Sequence, residues 1–159
     1  MINPDEVPMP LTNGRIAAQI HERGLRFGPS TDGGVVASFS AGSSDPAVVI
    51  SFKVEGSEEF PIFVATSTTG VLLENEEAVR SIATTNRWNA THRFPTALVE
   101  VGPGNKAVVG TQLHLPAGGG LTDVQLHDLV GLAVSGALEF WRESGAGQPG
   151  EEDQEEGVA

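Results

Sequence analysis

The stretch AVVISFKVEGSEEFPIFVATST, Ala47–Thr68, decides the fold. Val48, Ile50, Phe52 and Val54 alternate with Val49, Ser51, Lys53 and Glu55, the period-two pattern of a strand with one covered and one polar face. The Glu-Gly-Ser-Glu-Glu segment has the small and polar residues of a tight connection. A second run follows it, with Phe60, Ile62 and Val64 on one side. Pro61 donates no backbone hydrogen bond, which suits a strand start, an edge or a bulge. Apolar runs joined this closely pair antiparallel. A sheet covered on one face then needs helices to cover it.

Before this stretch, GVVASFSA reads as a shorter strand, set off by Gly33-Gly34 and Gly42. Earlier still, PLTNGRIAAQIHERGL reads as a helix. Thr12 is the N-cap, Leu11 reaches Ile16 as a staple, Ile16 and Ile20 share a face, and Gly24 provides the left-handed stop. After the strands, a helix runs from Asn75 as its N-cap, with Glu76 and Glu77 in the first turn, where the dipole favours negative charge. FPTALVEVG and NKAVVGTQLHLP form a hairpin across Gly102-Pro103-Gly104-Asn105. Thr122 and Gln125 open the last helix with a capping box, and its apolar stripe is Leu126, Leu129, Val130, Ala133, Ala137 and Phe140, with Trp141 at the margin. The expected architecture is an α+β, two-layer domain of order α-β-β-β-α-β-β-α, with five mainly antiparallel strands and the helices on one face.

The reading places a single domain over residues 11–143. Residues 1–10, with three prolines, read as an extended or mobile arm, and residues 144–159, rich in glycine and acid, as a disordered tail. The chain has 159 residues, a net charge of −12 and no cysteine. Disulfides, thiolate metal sites and cysteine nucleophiles are thereby excluded. The acidic balance argues against nucleic acid and anionic membranes as partners. The N-terminus lacks the pattern of a secretory signal, which makes the cytoplasm the expected location.

Catalytic signals are absent from the sequence. His21, His92, His114 and His127 show no metal-ligand spacing, the serines lack a nucleophile elbow, and the paired glutamates sit at a strand edge and in a first helical turn. The run PAGGGLTD resembles an anion-binding glycine loop but lacks the lysine of a P-loop and the spacing of a dinucleotide fingerprint. No catalytic residue, cofactor or metal is expected.

The segment Asn86-Arg87-Trp88-Asn89 is the exception to this plain pattern. A helical projection through Val79, Ile82, Ala83 and Ala90 turns Asn86 toward the core and Trp88 to the opposite side. On that reading Asn86 and Asn89 are hydrogen-bonded staples of the helix onto the sheet. Trp88 is then a candidate interface residue, because an aromatic left in water calls for cover.

The pattern IATTNRWN, an FP-led strand, a second strand and an LTDVQL helix ending in Glu139-Phe140-Trp141 resembles the YbjN-domain family, described as putative bacterial sensory transduction regulators. The resemblance covers residues 11–143 and is most specific at Asn86–Asn89 and in the spacing to Phe140-Trp141. It implies a fold similar to the type III secretion chaperones, whose members commonly dimerise and bind a partner segment, and it brings no catalytic residue. The expected function is a non-enzymatic, chaperone-like or regulatory domain, a homodimer that binds a protein partner through an exposed sheet face or the Trp88 surface. The alternative is a small-molecule sensor or cryptic enzyme with a pocket between sheet and helices.

Overall fold

In the computed structural model, which describes residues 7–40 and 46–145, three helices lie against a six-stranded antiparallel sheet. The elements in chain order are α1 (Asn13–Glu22), β1 (Phe27–Pro29), β2 (Val35–Phe39), β3 (Val48–Gly56), β4 (Pro61–Thr68), α2 (Asn75–Thr91), β5 (Thr96–Val101), β6 (Ala107–Pro116) and α3 (Asp123–Ser144). The strands stand in the order β1-β2-β3-β4-β6-β5. The α+β class is as expected, but the sheet has six strands where five were read. The extra one, β1, is three residues long, too short to show a period, and it pairs Phe27 with Ala37 and Pro29 with Val35.

The core-facing phase of β3 is the one its alternation indicates, with Val48, Ile50 and Phe52 buried. In β4 the apolar side marked by Phe60, Ile62 and Val64 is the one turned from the helices, although Val64 itself is buried. Register sets Ala65 opposite Phe52 and Phe63 opposite Val54, so Phe63, Ala65 and Ser67 face the core, while Ile62 and Val64 share the side of Glu55 and Lys53. Phe60 precedes the strand and is exposed, and Pro61 is its first residue. β4 carries apolar residues on both faces, so alternation alone could not choose between them.

Helix α3 contacts β3, α1 and α2, which makes the helices one layer over the core. Leu126, Val130 and Phe140 are fully enclosed beneath it, as are Ile16 and Ile20 of α1. The caps of α1 and α3 are local and follow the sequence, whereas α2, read as capped by Asn75, has Glu74 at its N-cap and no side-chain cap bond. The Thr12 hydroxyl accepts from the Arg15 amide at 3.2 Å, and Thr122 and Gln125 form both bonds of the capping box. A polar chain crosses the core. The indole Nε1 of Trp141 donates to Ser67 Oγ at 2.8 Å, and Ser67 Oγ lies 2.6 Å from Thr111 Oγ1.

The last residues of the expected arm are held in place. Met9 and Leu121 exchange both backbone hydrogen bonds, and the Arg15 guanidinium donates to the carbonyls of Met9, Pro10 and Leu121 and pairs with Asp123 at 2.7 Å. Gly120, with φ of 76°, lets the backbone of Met9 approach to where a Cβ would stand. Residues 1–6, most of the turn read at Ala41–Pro46 and the tail beyond Gly145 lie outside the described residues.

Candidate functional site: an open strand edge beside helix α2

Helix α2 turns a different face inward from the one its hydropathy suggests. Its buried residues are Ser81, Thr85 and Trp88, while Val79 is 67% exposed and Ile82 50%. Burial of the two hydroxyls is tolerated because each bonds back into its own helix, Ser81 Oγ to the Glu77 carbonyl at 2.9 Å and Thr85 Oγ1 to the Ile82 carbonyl at 3.0 Å. The consequence for Trp88 is a correction. It is 5% exposed, its Nε1 donates to the Pro95 carbonyl at 2.8 Å, and its indole meets Phe140 edge-on and stacks on His92. The candidate interface residue is a core residue. Asn86, read as a buried staple, is on the exposed side of the helix.

Asn89 does reach the sheet, and it does so at the outer edge. Its Nδ2 donates to the Ala97 carbonyl and its Oδ1 accepts the Ala97 amide, both at 2.9 Å. β5 is the last strand of the sheet, and its edge polarity follows from register. Ala107 exchanges N–H and carbonyl with Leu73, on the side away from β5, which makes Val101–Ala107 a pair without mutual hydrogen bonds. Alternation makes Val99–Val109 and Ala97–Thr111 the same. The N–H and C=O groups of Ala97, Val99 and Val101 therefore point off the edge. α2 closes the Pro95 and Ala97 positions with Trp88 and Asn89 and leaves Val99 and Val101 open.

Beside that open half lies a cleft of about 510 Å³ between α2 and the β5–β6 hairpin. Leu73, Ala78, Ile82, Val99 and Val101 give it an apolar lining, and Val101 is 79% exposed. Glu74 and Lys106 line it as well, paired at 3.2 Å. Val79 continues the apolar surface along the helix. Sequence reasoning assigned Val79 and Ile82 to the core, so it missed this surface. The signal that could have located it is the Ser81-Thr85-Trp88 spacing, a helical stripe of residues that can each be buried with a hydrogen bond.

The other features singled out in the sequence do not join this site. In the PAGGG loop, the amides of Gly120, Leu121 and Thr122 donate to Ala117, Met9 and Gln125, so those donors are spent within the fold. His127 bonds Gln19 through Nδ1 at 3.0 Å, and His21 packs edge-on against Phe27. Asp32 and Lys53 form an ion pair at 3.3 Å, away from the cleft. The carboxyl of Asp32 is held below its ordinary value by the Ser30 hydroxyl, the Gly34 amide and Lys53, and the Lys53 ammonium is raised by Glu55 and Asp32. Among the described residues no helix is long and apolar enough to cross a membrane.

The chain is an acidic α+β domain with three helices over an antiparallel sheet whose outer edge is part closed and part open. Comparison with known proteins supplies the family. Residues 13–145 match the YbjN family profile, described as "putative bacterial sensory transduction regulator", and the chain belongs to that family. No curated protein matches the sequence. Among solved structures, the fold is similar to that of YbjN, a putative transcription regulator from E. coli, with a TM-score of 0.62 and 12% identity over 87% of this chain and 94% of that one.

Proposed function

We propose that this chain is a non-enzymatic regulatory domain that binds an extended segment of a protein partner, added as a further strand beside β5. The half-closed edge carries the reading. Two outward backbone positions, Val99 and Val101, stand without a neighbouring strand next to an apolar cleft. In strand addition, main-chain hydrogen bonds give affinity and pockets for alternate side chains give specificity. Ile82 and Val101 are placed to provide those pockets. The net charge of −12, with Glu100 in the cleft wall beside the Glu74–Lys106 pair, favours a segment that alternates apolar and basic residues. The homodimer expected from the family resemblance would use the same contact, with β5 of a second copy as the added strand.

The test is selection of peptides on the full chain from a display library, followed by affinity measurement on two surface variants, Ile82→Asp and Val101→Lys. Each variant is expected to unfold at the same temperature as the parent and to bind at least about tenfold more weakly, about 1.4 kcal/mol. Equal affinity in both variants contradicts the reading. Light scattering at several concentrations separates self-association from capture of another chain.

A second reading rests on the same cleft, whose volume of about 510 Å³ lies within the roughly 300–1,000 Å³ of small-molecule pockets. A specific metabolite that raises the unfolding temperature, and loses that effect in Ile82→Asp, would favour a small-molecule sensor.

A further inference from the structure

Where α2 ends, the fold assembles three side chains that lie far apart in the sequence. His92, just after α2, stands beside Glu139 and Glu143, one turn apart on α3, and one ligand atom from each lies within 4.8 Å of the others. His92 is half-buried and held on several sides. Its imidazole stacks on the buried Trp88 indole with centroids 3.5 Å apart and planes 4° from parallel. Its Nδ1 lies 2.9 Å from Thr91 Oγ1 and 3.3 Å from the Trp88 carbonyl.

That second contact selects the tautomer of the neutral ring. A carbonyl only accepts, and the Thr91 hydroxyl has the Arg87 carbonyl at 3.1 Å to donate to, so Nδ1–H is the donor to both. In the neutral imidazole, Nε2 is then a bare lone pair, and it faces the Glu143 carboxylate at 3.9 Å, too far for a hydrogen bond. Such a lone pair set against two carboxylates needs a proton or a cation between them. An Nδ1–H bonded to a backbone carbonyl, with Nε2 left free, is also the usual posture of a metal-ligating histidine.

We propose that His92 Nε2, Glu139 and Glu143 bind a divalent transition ion of the zinc type, with water completing its coordination. One imidazole and two carboxylates form a mixed nitrogen and oxygen donor set that suits such an ion, and with no thiolate present a soft-metal site is ruled out. Two ligands at about 2.0–2.1 Å from one tetrahedral ion stand roughly 3.3 Å apart. Rotation of the glutamate side chains closes the remaining distance. The ion would tie the end of α2 to α3, at the point where Trp88 and Asn89 hold the closed half of the β5 edge.

The experiment titrates ZnCl2 alone into the full chain by isothermal calorimetry, with CoCl2 absorption spectra as a second readout of ligand geometry. Expected are one-to-one saturable binding, cobalt d–d bands and a zinc-dependent rise in unfolding temperature. All three should weaken at least about tenfold in His92→Ala and in Glu143→Gln, and remain unchanged in His114→Ala. Because His92→Ala also removes the ring stacked on Trp88, Glu139→Gln and Glu143→Gln carry the decision. Absence of binding, or binding that survives both glutamine substitutions, overturns the site.

Discussion

Asn89 holds the backbone of Ala97 by two hydrogen bonds of 2.9 Å, one to its amide and one to its carbonyl. This is the pair of bonds a neighbouring strand would make, supplied by one side chain. It blocks strand addition at Ala97 and so limits the open edge to Val99 and Val101, which is one of the ways proteins manage exposed sheet edges. Asn89→Ala should therefore destabilise the fold by about 1–3 kcal/mol. Asn86→Ala, on the exposed side of the same helix, should stay within about 0.5 kcal/mol of the parent. Urea denaturation of the two variants measures the contrast.

Trp88 acts as a core residue. Trp88→Ala removes a buried indole and should cost about 3–5 kcal/mol. Trp88→Phe keeps most of the apolar volume but leaves the Pro95 carbonyl without its donor, at about 1–3 kcal/mol. An interface residue would behave differently, with little loss of stability and a large loss of association. Denaturant midpoints and light scattering, recorded on the same samples, distinguish the two.

The Trp141–Ser67–Thr111 chain is enclosed, so its groups have no access to water as a substitute partner. Ser67→Ala strands the Trp141 N–H and the Thr111 hydroxyl and should cost about 1–3 kcal/mol. A calorimetric unfolding scan reads this directly. Trp141→Phe in the Ser67→Ala background removes the unpaired N–H and should recover part of the loss.

The Asp32–Lys53 pair predicts two opposite pH effects. Asp32, held below its ordinary value of 3.8 in the folded state, contributes stability that is present above 3.8 and lost as pH falls through the lower folded value. Lys53, raised above 10.5, contributes stability present below 10.5 and lost as pH rises through the higher folded value. Both groups are largely solvated, so salt should weaken the effects. Carboxyl NMR titration should place the Asp32 midpoint below 3.8 and shift it upward in Lys53→Met.

How much of this was legible depends on how local each signal is. Thr12, Thr122 and Gln125 could be read because a cap and its partner lie within one turn. The phase of β4 could not, because Ile62 and Val64 compete with Phe63 and Ala65 for the core and only pairing with β3 decides. The face of α2 misled for a physical reason. Ser81 and Thr85 satisfy their hydroxyls within the helix and can be buried, which frees Val79 and Ile82 for the surface. The open edge and the His92 cluster are tertiary facts. They depend on β6 lying between β4 and β5, and on α3 passing the end of α2.

The central claim is that the edge of β5 is closed at Ala97 and open for strand addition at Val99 and Val101. Residue-resolved amide hydrogen exchange, with and without a selected peptide, tests it most directly. In the free chain the Ala97 amide should be protected while those of Val99 and Val101 exchange rapidly, and the peptide should slow exchange at Val99 and Val101 specifically. Protection of all three at concentrations where light scattering shows a monomer, or a bound peptide that leaves Val99 and Val101 exchanging as before, would contradict the account.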